Sequence, residues 1–150
     1  MREYCADCGA AHSEGRTCQS IYHEFMALEF SNPGYGRVHF LTVACYMIQH
    51  HGYSDEALVW VEAKLSAYFM NNLNGPEIRK LAAKDTDASI RKWEVKRLKD
   101  APLLPKVSWS MTIADVDKQM YDSESYGELI TEWGRRTWKE MTPLLKGKDS

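Results

Sequence analysis

Apolar residues in this chain recur at steps of three and four, the period of a helix with one buried face. Ile21, Phe25 and Leu28 share a side of "CQSIYHEFMALEF" and predict an amphipathic helix over 18–31. "SNPG" ends it, because Pro33 disfavours helical geometry at Asn32. A second helix is predicted over 35–50, with Val38, Leu41, Cys45 and Ile48 on its apolar face and Gly52 as its C-terminal cap. Ser54 is placed to cap a third, "EALVWVEAKLSAYFMNN", with Asp55 and Glu56 favourable in the first turn. Short helices are expected over 77–84 and 87–99, and the extended "DAPLLPKVSWS" offers a strand only at 107–110. Thr112, with Asp115 three residues on, forms a loose capping box at the start of "TIADVDKQM". The last helix spans 124–141, with Tyr126, Ile130, Trp133, Thr137 and Met141 as its buried stripe. No long apolar–polar alternation competes with these helices. The pattern predicts a mainly α fold: a small helical bundle (18–141) with an N-terminal cysteine-rich zinc knuckle (1–17) and a tail (142–150).

The 150 residues suit one domain with one core. At 44% hydrophobic and 27% charged, the composition is that of a soluble globular chain and argues against long disorder. The net charge of -2 supplies no global basic field. Arg79, Lys80, Lys84, Arg91, Lys92, Lys96, Arg97 and Lys99 form a local run, with Trp93 as a conceivable stacking platform. Asp85, Asp87 and Glu94 interrupt it, so it reads as the solvated face of helices and nucleic acid is not an expected partner. No apolar run follows Arg2, so no signal peptide is expected, and "FLTVACYMI" is too short to span a bilayer. The expected setting is the cytoplasm, away from membranes, where thiols stay reduced.

In that setting the segment "CADCGAAHSEGRTC" carries the chemistry. Cys5 and Cys8 are spaced C-x-x-C, so two thiolates can converge on one ion, and Gly9 can turn the chain with positive φ. Cys18 follows ten residues later. Three thiolates need one more ligand for a tetrahedral site, and a soft donor set favours zinc. If the first two helices pair antiparallel about the "NPG" turn, residues whose numbers sum to about 67 face each other. Cys18 then faces Gln49 and His50. His39 lies eleven residues before His50, about 16 Å along the axis at 1.5 Å per residue, and cannot reach the same ion. His50 is therefore the nominated fourth ligand, with His51 and His12 in reserve. A redox C-x-x-C would need its first cysteine at a helix N-terminus after a strand, whereas here a glycine follows the pair and no strand is expected before it; inert buried thiols are the bland alternative. Cys45, on an apolar face, reads as core.

The same segments resemble a bacterial family, the domain of unknown function 5946. Its pattern is a C-x-x-C-G start, a further cysteine ahead of a helix, V-H-x-L-T-V-x-x-Y-x-x-Q-H, T-v-a-D-V and a terminal W-x-x-x-x-W. This chain carries "CADCGA" at 5–10, "VHFLTVACYMIQH" at 38–50, "TIADV" at 112–116 and "WGRRTW" at 133–138. The resemblance places Cys5, Cys8, Cys18, His39, Gln49 and His50 at motif positions and implies no reaction. His51 departs from it where the family favours proline, which changes how the second helix ends.

His39, Thr42, Tyr46, Gln49 and His50 share a polar face on which His39 could act as a general base; a hydrogen bond inside the bundle is the favoured reading. Glu24 and Glu29 lack the Glu-x-x-His pairs of a di-iron bundle, and no H-E-x-x-H, G-x-S-x-G or phosphate-binding glycine loop is present. Trp133 and Trp138 are expected to fill the core or frame a groove. The expectation is one structural zinc on Cys5, Cys8, Cys18 and His50 in a binding or regulatory protein, with a protein or small molecule as partner. The alternative is a metal-dependent enzyme of helical-bundle type, whose zinc keeps an open position for water beside His39 or His51. Whether the chain is an enzyme stays open at this point.

Overall fold

A short hairpin leads into a set of packed helices in the computed structural model, which describes residues 3–12, 15–70 and 109–146. The helices expected over 77–84 and 87–99, the cationic run and Trp93 lie outside the described residues. So does the first half of the expected 107–110 strand; Trp109 and Ser110 form no strand. The hairpin pairs β1 (Glu3–Tyr4) antiparallel with β2 (Ala11–His12), Glu3 opposite His12 and Tyr4 opposite Ala11. The helices are α1 (Cys18–Ser31), α2 (Pro33–Gly36), α3 (His39–Gln49), α4 (Asp55–Met70), α5 (Ile113–Gln119) and α6 (Ser123–Lys146).

Local chemistry fixes most of their ends. Thr17 and Ser20 cap α1 reciprocally, each backbone N–H donating to the other's hydroxyl at 3.0 Å. Ser54 accepts from the Ala57 amide at 3.1 Å to start α4, and Asp115 accepts from the Thr112 amide at 2.8 Å to start α5, both as expected. Asp122 accepts from Ser125 at 2.7 Å at the head of α6. That helix continues through Pro143 to Lys146, so residues 142–146, expected in the tail, are helical.

The single helix expected over 35–50 is two. Asn32 closes α1 and also caps α2, accepting from the Gly34 amide at 2.9 Å with Pro33 at the first helical position. Gly36 then presses on the end of α1: a Cβ there would sit 2.7 Å from the Glu29 carbonyl oxygen. The chain turns away after this contact, leaving helical geometry at Val38 (φ -109°, ψ 16°) before α3 begins. The end of α3 differs too. His51, rather than Gly52, takes the left-handed conformation at φ 57°. The Gly52 amide donates to Met47 at 2.8 Å and the His51 amide to Ile48 at 3.4 Å, the two bonds of a Schellman ending. A proline at 51 could not adopt that φ, so this ending requires another residue there.

α6 packs against α2, α3, α4 and α5, while α1 packs against α2 and α5. The stripe Tyr126, Ile130, Trp133, Thr137 and Met141 is fully buried, as the periodicity predicts. Leu41, Cys45 and Ile48 from α3 and Ala57, Val61 and Leu65 from α4 close over it. Trp138 stacks on Phe69 at 5.5 Å and donates to Glu62 at 3.2 Å. The stripe of α1 runs Ile21, Phe25, Glu29, with Leu28 only half-buried. No helix among the described residues is long and apolar enough to cross a membrane.

Candidate metal centre

The hairpin loop is a knuckle closed by its own backbone. The Cys5 amide donates to the Ala10 carbonyl at 2.8 Å and the Gly9 amide to the Cys5 carbonyl at 2.9 Å. Gly9 has φ 81°, the positive value expected of it. Contrary to the sequence reading, a strand does precede Cys5, but no helix follows Cys8. The chain returns as β2, so the arrangement a thioredoxin-type pair needs is absent here. Cys18 is the first residue of α1, and His50 is the residue that ends α3.

The antiparallel course of α1 and α3 brings these ends together. Cys18 meets His50, Tyr22 stacks on Tyr46 at 3.9 Å, and Glu29 meets His39 at 2.7 Å. The register is constant along the pair and one residue beyond the expected one. One ligand atom from each of Cys5, Cys8, Cys18 and His50 lies within 4.8 Å of all the others, and the group could hold a metal ion. The Cys8 and Cys18 sulfurs are 3.6 Å apart. Two sulfurs bound tetrahedrally to one zinc at about 2.3 Å would stand about 3.8 Å apart. Cys8 and Cys18 are buried, and Cys5 and His50 are partly exposed.

His50 is held in one orientation. Its Nδ1–H donates to the Tyr46 carbonyl at 2.7 Å, and its ring stacks on Tyr46 at 4.3 Å. Its buried Nε2 has no hydrogen-bond partner. This is the tautomer of a ligating imidazole, with one nitrogen anchored to backbone and the other bare. Burial works against protonation of His50, but the Cys8 sulfur and the Tyr46 carbonyl outweigh it and raise its pKa. The Cys18 thiol, donating to Cys8, pulls the Cys8 pKa down against burial, helped by His50 and the Ala10 amide. The same bond, together with burial and the negative Cys8, pushes Cys18 up. Cys8 and Cys18 thus ionise together only if a cation joins them.

Neither reserve histidine belongs to the four-residue group. His51 shapes the end of α3, and His12 places Nε2 at 3.0 Å from the Cys18 sulfur without joining that set. Gln49, expected opposite Cys18, turns into the core and donates to the Met111 carbonyl at 2.9 Å and to Thr137 at 3.1 Å. Cys45 is core, as expected, and burial pushes its thiol up to about 12. At pH 8 it is therefore protonated and inert, because the thiolate is the nucleophile. Alkylation at pH 8 with chelator present, which frees the hairpin, is expected to label Cys5 and Cys8 well before Cys45, which reacts only after unfolding. Peptide mapping of the label checks this; early labelling of Cys45 would contradict its burial.

A second polar cluster, missed by the sequence reading, lies at the other end of the α1–α3 pair. Glu29 is 6% exposed. Its Oε1 accepts from His39 Nδ1–H at 2.7 Å; its Oε2 accepts from Thr42 at 2.6 Å and from the Tyr126 hydroxyl. His39 is thus hydrogen-bonded inside the bundle, the favoured of its two readings. The signal for Glu29 was present: it follows Phe25 by four residues and Ile21 by eight, a carboxylate on an apolar stripe.

The chain belongs to the family of unknown function (DUF5946), whose profile matches residues 3–142. This bears out the resemblance carried by the C-x-x-C-G, V-H-x-L-T-V and terminal tryptophan segments. No curated protein and no solved structure matches the chain.

Proposed function

We propose that this member of the DUF5946 family binds one zinc ion through Cys5, Cys8, Cys18 and His50, and that the ion is structural. The observation that carries the reading is the bare, buried Nε2 of His50, anchored through Nδ1 and facing three sulfurs. An unpartnered buried nitrogen is costly, and an ion would satisfy it. The three-sulfur, one-nitrogen donor set is soft and favours zinc over magnesium or calcium. Four protein donors complete a tetrahedron without water, which supports a structural ion over the open site of an enzyme. Bound there, the ion would pin the hairpin to the start of α1 and the end of α3. The protein would then act through binding or regulation, presenting its surface to a protein or small molecule. Thiolate ligation fits a reducing compartment such as the cytoplasm.

Elemental analysis of protein purified without added metal is expected to find close to one zinc per chain. Metal-free protein with every knuckle thiol open to titration would overturn the reading.

A further inference from the structure

The cluster has a fifth donor group beside it that a four-ligand shell does not use. His12 lies in β2 opposite Glu3, is 6% exposed, and places Nε2 at 3.0 Å from Cys18 Sγ. It is outside the set of ligand atoms that lie mutually within 4.8 Å. A sulfur bound to an ion has lost its proton and can only accept. The hydrogen in the His12–Cys18 contact must then sit on His12 Nε2. His50 has the opposite pattern, with its hydrogen on Nδ1 and its Nε2 bare. The two histidines flanking the cysteines therefore carry opposite tautomers, and only His50 offers the cluster a lone pair.

We infer that His12 is a positioning residue of the metal centre, its Nε2–H donating to the Cys18 thiolate and holding that sulfur in place for the ion. The inference rests on the zinc reading above. Three thiolates around a divalent ion leave an excess negative charge, and an N–H donor aimed at one sulfur spreads it. The Glu3–His12 pairing sets the position of the ring, while Cys18 opens α1. The bond therefore ties the hairpin to the helix across the turn at Gly15, where φ is 82°. Closing the hairpin and filling the metal site become a single event.

Long-range proton–nitrogen NMR on the zinc-loaded full chain reads both tautomers. His12 is expected in the Nε2–H form and His50 in the Nδ1–H form. In competition with a chelator, His12→Ala should weaken zinc binding about 10–100-fold while saturating at one ion per chain. Its cobalt-substituted form should stay tetrahedral, with a shifted sulfur-to-metal absorption band. His12→Gln, which keeps an N–H donor, should recover most of the affinity. A bare Nε2 on His12, a ligand lost from the cobalt spectrum of His12→Ala, or unchanged affinity in that variant would each overturn the role while leaving the zinc reading standing. Failure of the unaltered chain to take up zinc or cobalt would overturn both, and is seen before any variant is made. The tautomer measurement needs no substitution, so it decides the matter even if His12→Ala does not fold.

Discussion

Chelating the metal is expected to loosen the hairpin, the start of α1 and the end of α3 together, while the α6 stripe keeps its protection. Cys5 and Cys8 lie in the hairpin loop, Cys18 opens α1 and His50 closes α3, so a single ion would cross-link three stretches of backbone. Structural zinc sites contribute about 10–16 kcal/mol of apparent binding free energy near neutral pH. That is as large as the whole stability of an ordinary domain, roughly 5–15 kcal/mol. The hairpin has only two paired residues in each strand. Tyr126, Ile130, Trp133 and Met141 are packed among α3, α4 and α5 and should lose less. Hydrogen exchange with and without chelator is the measurement. Identical exchange maps, with an activity lost on chelation, would instead favour an open catalytic ion. His50→Ala should likewise lose the metal and lower the melting temperature, whereas His39→Ala should retain the metal, since His39 is bonded to Glu29.

Glu29→Ala is expected to cost about 2–4 kcal/mol of stability without emptying the metal site. The substitution removes the acceptor shared by His39, Thr42 and Tyr126. Thr42 keeps a bond to the Val38 carbonyl at 3.1 Å, and His39 is partly exposed and can turn to water. Tyr126 is fully buried, and its hydroxyl is left with only a 3.5 Å contact to Thr42. Burial, then the Glu29 charge, raises the Tyr126 pKa, so the phenol stays a neutral donor and cannot escape the loss by ionising at neutral pH. Thermal or denaturant unfolding beside zinc analysis checks both halves. Unchanged stability would mean the carboxylate is dispensable to the bundle; a lost metal would mean the two clusters are coupled along α1 and α3.

The sequence by itself determined where most of the described helices lie and which faces of α3 and α6 are buried. The five positions of the α6 stripe and the apolar side of α3 follow from a 3.6-residue period, because which side of a helix is buried is encoded turn by turn. The positive φ at Gly9 and the caps at Ser54 and Thr112 were legible for the same reason: each is a bond or torsion within a few residues. Bringing His50 to Cys18 needed one further step, antiparallel pairing of two helices, and the two do meet, in a register one residue from the expected one. Only the tertiary structure decided what the polar groups meet. The break at Val38 follows from Gly36 pressing on the Glu29 carbonyl, and the burial of Glu29 depends on Tyr126, which lies 97 residues away. Gln49 reads as a neighbour of Cys18 until α6 offers it Thr137. His12 looks like a spare ligand until β2 pairs and aims its nitrogen at a sulfur. Periodicity tells a polar side chain which way to point, but its partner is supplied by an element that arrives from elsewhere in the chain, and that information is not local.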